Sequence, residues 1–213
     1  VLDVWELKGP ESSWPAQLET YYTAQPAFAV IGGATGAPWQ PVGDFCNARH
    51  MPCLFPQTDL PARDAADGGY TIYSYGGLPL EAQTLAAYLD RLGLGGRTIV
   101  QLAADDPQGR VPAETFAAAF KGSRPTSETV SPDGWSDALA RAGKSVGKDG
   151  VVVIWPGAAT AQAVAAIATR PPPGEALILP SMAQAEAQRL LSGLPIADRL
   201  RLIHPRELPT VVN

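Results

Sequence analysis

Two cysteines with a histidine between them, Cys46, His50 and Cys53, form the tightest cluster of chemically active side chains in this chain. A helix ending near Cys46 and packed over a strand at Cys53 would bring the two sulfurs within disulfide reach. The same pair is compatible with two buried thiols, or with a metal site shared with His50, although the spacing is not that of zinc. All three readings stay open. Asp105 and Asp106 follow the apolar run TIVQLAA and resemble the acidic pairs of metal-dependent α/β enzymes, but a proline comes next and no third acid is obvious. Asp59 offers a carboxylate to a cation or a ligand amine, or caps the turn that Leu60 and Pro61 begin. Trp39 and Trp155 stand at the ends of apolar segments, where an indole is either core packing or a platform for a ligand. His50 and His204 lack a partner motif and read as structural histidines.

Enzyme signatures fail on inspection. The chain contains no G-x-S-x-G elbow. Gly93, Gly95 and Gly96 precede a strand where dinucleotide binding needs glycines after one. GKSVGKDG lacks the spacing of a phosphate-binding loop. No catalytic residue is assigned, and neither a cofactor nor a metal is expected. Sixteen basic against 21 acidic residues give a net charge of −5 with no basic cluster, which speaks against nucleic acid. No apolar run approaches the roughly 18 residues of a membrane span, so direct membrane insertion is not expected. No charged-then-apolar leader opens at Val1, so a signal peptide has been removed or never existed.

The elements that must position these residues alternate along the chain. With 46% hydrophobic residues, its 213 positions suffice for one ordinary core or two small ones. The 21 glycines and 21 prolines fall between apolar runs and punctuate many short elements. Strands are expected over 1–7, 27–31, 51–55, 70–75, 98–103, 128–130, 151–155, 176–179 and 200–203. Helices are expected over 11–25, 41–49, 80–92, 113–121, 135–142, 160–169 and 183–191. Leu85, Tyr88, Leu89 and Leu92 share one helix face by their spacing. Such alternation implies parallel sheets with right-handed crossovers. Nearly all-apolar strands such as AFAVI suit sheets covered on both faces. The stretch 57–69, rich in Pro, Asp and Gly, is the clearest break in composition and divides the chain into two lobes.

The order AFAVIGG, QPV opening a helix, MPCLFP, YTIYSYGGLPLEAQTLAAYL and TIVQLAADD resembles the type I periplasmic binding proteins. More narrowly, it is similar to the branched-chain-amino-acid-binding branch of the solute-binding proteins of ABC transporters. The resemblance implies an α/β fold of two doubly wound parallel-sheet lobes that close about a hinge over a ligand. The first lobe, 1–77, would be incomplete, as in a fragment or shortened relative. The hinge falls near 76–79, the second lobe at 78–204, and a return crossover at 205–213.

Carried over by position, the resemblance places Gly36, Ala37 and Trp39 in the first ligand loop and Gln57, Thr58 and Asp59 in the second. From the other lobe it takes Gln108 in the loop 106–109, Trp155 and Gly157 in the loop 155–158, and Ser181 and Met182 in the loop 180–182. Relatives that bind amino acids offer hydroxyls to the ligand carboxylate, whereas 36–39 reads Gly-Ala-Pro-Trp. Trp39, Phe55, Trp155 and Met182 would line an apolar cleft with a few polar anchors. The resemblance therefore implies a non-enzymatic, periplasmic protein that captures a small, substantially apolar organic molecule for an importer or trafficking system. A membrane permease or receptor would be its partner. Alternatives of the same fold are a sensory ligand-binding domain, a branched-chain amino-acid binder and a lipid-like carrier; an α/β metal-dependent enzyme is the alternative of another class.

Overall fold

Where apolar runs alternate with amphipathic segments, strands and helices follow one another in the computed structural model, which describes residues 2–62 and 69–203. The chain divides into two units, Val1–Gly77 and Leu78–Asn213.

In the first unit the expected strand over 1–7 does not form: residues 2–8 carry no regular structure. Instead Trp5 stacks on Tyr21 at 5.8 Å, and Leu7 packs on the same core. Helix α1 (Trp14–Ala24) follows, with a proline in its first turn, where the missing N–H is tolerated. Next come β1 (Val30–Ile31), β2 (Ala34–Thr35), α2 (Gln40–Ala48), β3 (Cys53–Leu54), β4 (Gln57–Thr58) and β5 (Thr71–Ile72). The strands expected at 27–31, 51–55 and 70–75 contract to two residues each. Strands β1, β3 and β5 form one parallel sheet. Its register sets Val30, Cys53 and Thr71 in one row and Ile31, Leu54 and Ile72 in the next. Successive residues of a strand face opposite ways. Cys53 and Val30 join a core with Trp14, Leu18, Val42, Phe45 and Cys46 from α1 and α2. The other row is left largely open, with Ile31 69% and Ile72 55% exposed.

Of the three readings of the cysteines, the disulfide is the one found. Cys46 and Cys53 are bonded, their Cα atoms 6.3 Å apart, and tie α2 to the strand beneath it.

The second unit begins within α3 (Gly77–Arg91), around whose start residues 76–79 lie. It continues as β6 (Ile99–Ala104), α4 (Pro107–Ala119), β7 (Thr126–Val130), α5 (Trp135–Val146), β8 (Val151–Trp155), α6 (Thr160–Thr169), β9 (Ala176–Leu179), α7 (Gln184–Leu191) and β10 (Leu200–Leu202). The five strands are parallel, in the order β10-β9-β8-β6-β7. Alternate residues of β6 and β8 supply the two faces. Ile99, Ala103, Val151, Val153 and Trp155 meet α3 and α4, and Val100, Leu102, Ala104, Val152 and Ile154 meet α5, α6 and α7. This is a doubly wound sheet, covered on both faces as its near-continuous apolar strands require.

On β6 a polar side chain interrupts that core. Gln101, 1% exposed, donates to the Ala113 carbonyl and the Ser127 hydroxyl and accepts the indole N–H of Trp155. With these partners its amide is satisfied, as a buried polar group must be. The helix expected over 113–121 begins six residues earlier, at Pro107. A proline is at home in a first helical turn, and Pro112, which reads as a breaker, lies within the helix. His204 and the return crossover at 205–213 lie outside the described residues, as do 63–68 of the stretch 57–69.

Candidate functional site

In the first unit the chain leaves β1 and β3 through glycine- and proline-containing turns and pairs again as β2 and β4. Ala34 stands opposite Gln57 and Thr35 opposite Thr58, and the Gln57 N–H donates to the Gly33 carbonyl. The expected open ligand loop at 57–59 is thus partly a strand. Small side-chain bonds continue the zipper. The Thr35 hydroxyl accepts the Ala37 N–H at 3.0 Å, and the Thr58 hydroxyl accepts the Leu60 N–H at 3.1 Å. Thr58, and not only the acid at Asp59, therefore shapes the turn before Pro61. The Trp39 N–H donates to the Leu60 carbonyl, and the Trp39 carbonyl receives the N–H groups of Val42 and Gly43 as α2 begins.

Gly36, Ala37, Trp39, Gln57, Thr58 and Asp59 are thereby gathered beyond the carboxyl ends of β1 and β3. Gly36 and Gln57 are exposed, Ala37 and Asp59 half-buried, and Thr58 buried. Trp39 is 5% exposed, its ring closes over Gly33, and its indole N–H meets no acceptor among the described residues. Leaving a buried donor unmet costs about 1–3 kcal/mol. Phe55, next to this zipper, is a half-exposed aromatic whose backbone lies at φ +57°. A bulky residue in that region carries strain of about 1–3 kcal/mol, and strain of this kind clusters at ligand sites.

In the second unit the topology marks one crevice. The chain leaves β6 for α4 on one face of the sheet and leaves the neighbouring β8 for α6 on the other. Between the carboxyl ends of two such strands an open α/β sheet leaves room for a ligand. Asp106 sits at this point as the cap of α4: its carboxylate accepts the Gly109 N–H at 2.8 Å and the Ala158 N–H, across the crevice, at 2.9 Å. Neighbouring Asp105 pairs with Arg110 at 2.7 Å. The expected loop residue Gln108 lies in the first turn of α4, half-buried. Gly157 is buried in a 3-10 turn (Gly157–Ala159) at φ +52°.

Trp155 is 0% exposed, with its N–H on Gln101, and has no surface for a ligand to touch. It underlies the crevice as part of the core. Ser181 and Met182, both half-buried, lie in a 3-10 turn (Ser181–Ala183) after β9. The Ser181 N–H donates to one oxygen of Glu81 at 2.9 Å, and its hydroxyl bonds the other. Glu81, fully buried on α3, is a residue that sequence reading passed over. Its signal is a carboxylate among Leu78, Ala82, Leu85 and Leu89 on the apolar stripe of a helix. The structure thus gathers the candidate residues into one group in each unit. His50 packs edge-on against Tyr70, as a structural histidine does. No three His, Cys, Asp or Glu side chains among the described residues stand together as a metal site.

No family model matches this sequence, and no curated protein matches it. Solved structures do. One is a solute-binding protein of an ABC transporter from Rhodopseudomonas palustris BisB5, in complex with 3,4-dihydroxybenzoic acid. It aligns at TM-score 0.58 and 12% identity over 82% of this chain and 49% of its own. A periplasmic binding protein from Burkholderia mallei aligns at TM-score 0.58 and 14% identity over 92% of this chain and 47% of its own. The chain therefore spans about half the length of these structures. At such identities the likeness establishes a shared fold, and the α/β parallel-sheet fold expected from the sequence is the one found. Both structures are of binding proteins and not of enzymes.

Proposed function

We propose that this chain belongs to a binding protein that captures a small, substantially apolar organic molecule at strand-end loops. The observation that carries this reading is the convergence of fold and site. The chain shares its fold with solute-binding proteins, one of them holding an aromatic acid, and its candidate residues gather at the carboxyl ends of parallel strands in both units. Such strand ends are where open α/β sheets hold ligands.

The ligand chemistry follows from the side chains. In the first unit the half-exposed Phe55 offers an aromatic face and Trp39 an indole donor unmet among the described residues, with Gln57 and Asp59 as polar anchors. In the second unit Met182, in the turn after β9, offers an apolar, adaptable contact of its own. A few polar groups at the edge of an apolar surface suit a compact ring or branched skeleton carrying one or two polar groups. Residues 76–79 serve as the hinge in this reading, a permease or receptor as the partner, and the periplasm as the compartment. A disulfide is at home in that oxidising space.

Thermal-shift screening tests the proposal with aromatic acids including 3,4-dihydroxybenzoate, short alcohols, amino acids and lipids. One class should raise the melting temperature in a saturable, concentration-dependent way, as binding to the native state requires. Absence of any shift across the panel, with turnover of a test substrate when a divalent metal is added, would favour the enzyme reading instead.

A further inference from the structure

The crevice at the ends of β6 and β8 has the features of an anion site: N–H groups from the starts of two helical segments converge on it. It is already filled. The Asp106 carboxylate takes the Gly109 N–H with one oxygen and the Ala158 N–H with the other, while the Asp106 carbonyl receives the Arg110 N–H at 2.9 Å. Gly157 is shaped to this occupant. A Cβ built on it would lie 2.3 Å from both carboxylate oxygens, so any other residue here would expel the aspartate. Asp105, the other acid at this corner, is turned to Arg110 and does not compete for the two amides.

We infer that Asp106 is a specificity-determining residue: by placing the chain's own carboxylate on the amide pair, it closes the second unit's strand-switch crevice to a ligand carboxylate. It also staples the loop after β6 to the loop after β8, so this wall of the site keeps one geometry before a ligand arrives. What remains for a ligand there is an acceptor surface. The binding reading supplies the reason such a crevice matters, but occupancy of the amide pair is testable without any ligand.

The probe is formate, the smallest carboxylate, compared with chloride at equal ionic strength. Asp106→Ala empties both amides. Asp106→Ser retains a cap for α4 and releases only the reach to Ala158, which keeps a folded variant in hand. Melting temperatures of both variants should rise with formate above the chloride control, whereas the wild type should respond equally to the two salts. Gly157→Ala should lower the melting temperature much more in the wild type than in the Asp106→Ser background, because only the former has a carboxylate to displace. Equal responses of wild type and variants to formate, or an equal cost of Gly157→Ala in both backgrounds, would overturn the assignment. Either result leaves the ligand screen untouched, so the two claims can fail separately.

Discussion

Cys46 and Cys53 show how a pair of residues constrains a small unit. The disulfide closes a short loop between α2 and β3, and the entropy model gives such a closure about 2–3 kcal/mol. Replacing both cysteines by serine should therefore lower protection against hydrogen exchange in residues 2–62 by that order and leave the second unit unchanged. Trp39 makes the opposite kind of prediction. Its indole N–H is buried without a partner among the described residues, so Trp39→Phe should change the stability of the ligand-free chain by less than about 1 kcal/mol. If the ligand supplies the acceptor, the same change should weaken binding about fivefold in a calorimetric titration, the equivalent of ~1 kcal/mol. The residue types at these positions were legible from sequence; what they pair with was not. Nothing in DDPQG says that Asp106 reaches Ala158, because that bond depends on β6 and β8 being neighbours.

Elements were legible where the apolar run was long. Strands β6 and β8 lie close to the expected spans because five or more consecutive buried positions leave few alternatives, and helices α5 and α6 do so because their buried residues recur at helical spacing. Short and irregular pieces escaped. Residues 2–8 have a strand-like composition but pair with no strand among the described residues, and β2 and β4 are two-residue extensions that only their mutual pairing creates. The start of α4 was hidden by Pro112. The two sheets also differ in cover, which gives a test. Leu102→Ala, in the fully covered sheet, should cost about 2–5 kcal/mol in urea unfolding. Ile72→Thr, on the open face of the smaller sheet, should stay within about 0.5 kcal/mol. A large loss at Ile72 would mean that this face is covered in solution.

For the molecule as a whole, the alternation of β and α was enough to expect parallel sheets, while the resemblance to binding proteins rested on the order and spacing of segments such as AFAVIGG and MPCLFP; the solved structures share the chain's α/β fold at 12–14% identity. The ligand was not legible, since it is set by a handful of side chains at strand ends whose register comes from tertiary pairing. Trp155 illustrates the gap: an indole at the end of an apolar strand reads as core packing or as a ligand platform until Gln101 is found holding it in the core. Among the described residues no helix is long and apolar enough to cross a membrane. The central claim is that this chain binds a small, substantially apolar organic molecule through its strand-end loops. Isothermal titration of the chain with the class of compound that raises its melting temperature tests this most directly. The account predicts saturable, one-to-one binding that weakens in Trp39→Phe; heats no larger than dilution across every class, from a chain shown to be folded, would contradict it.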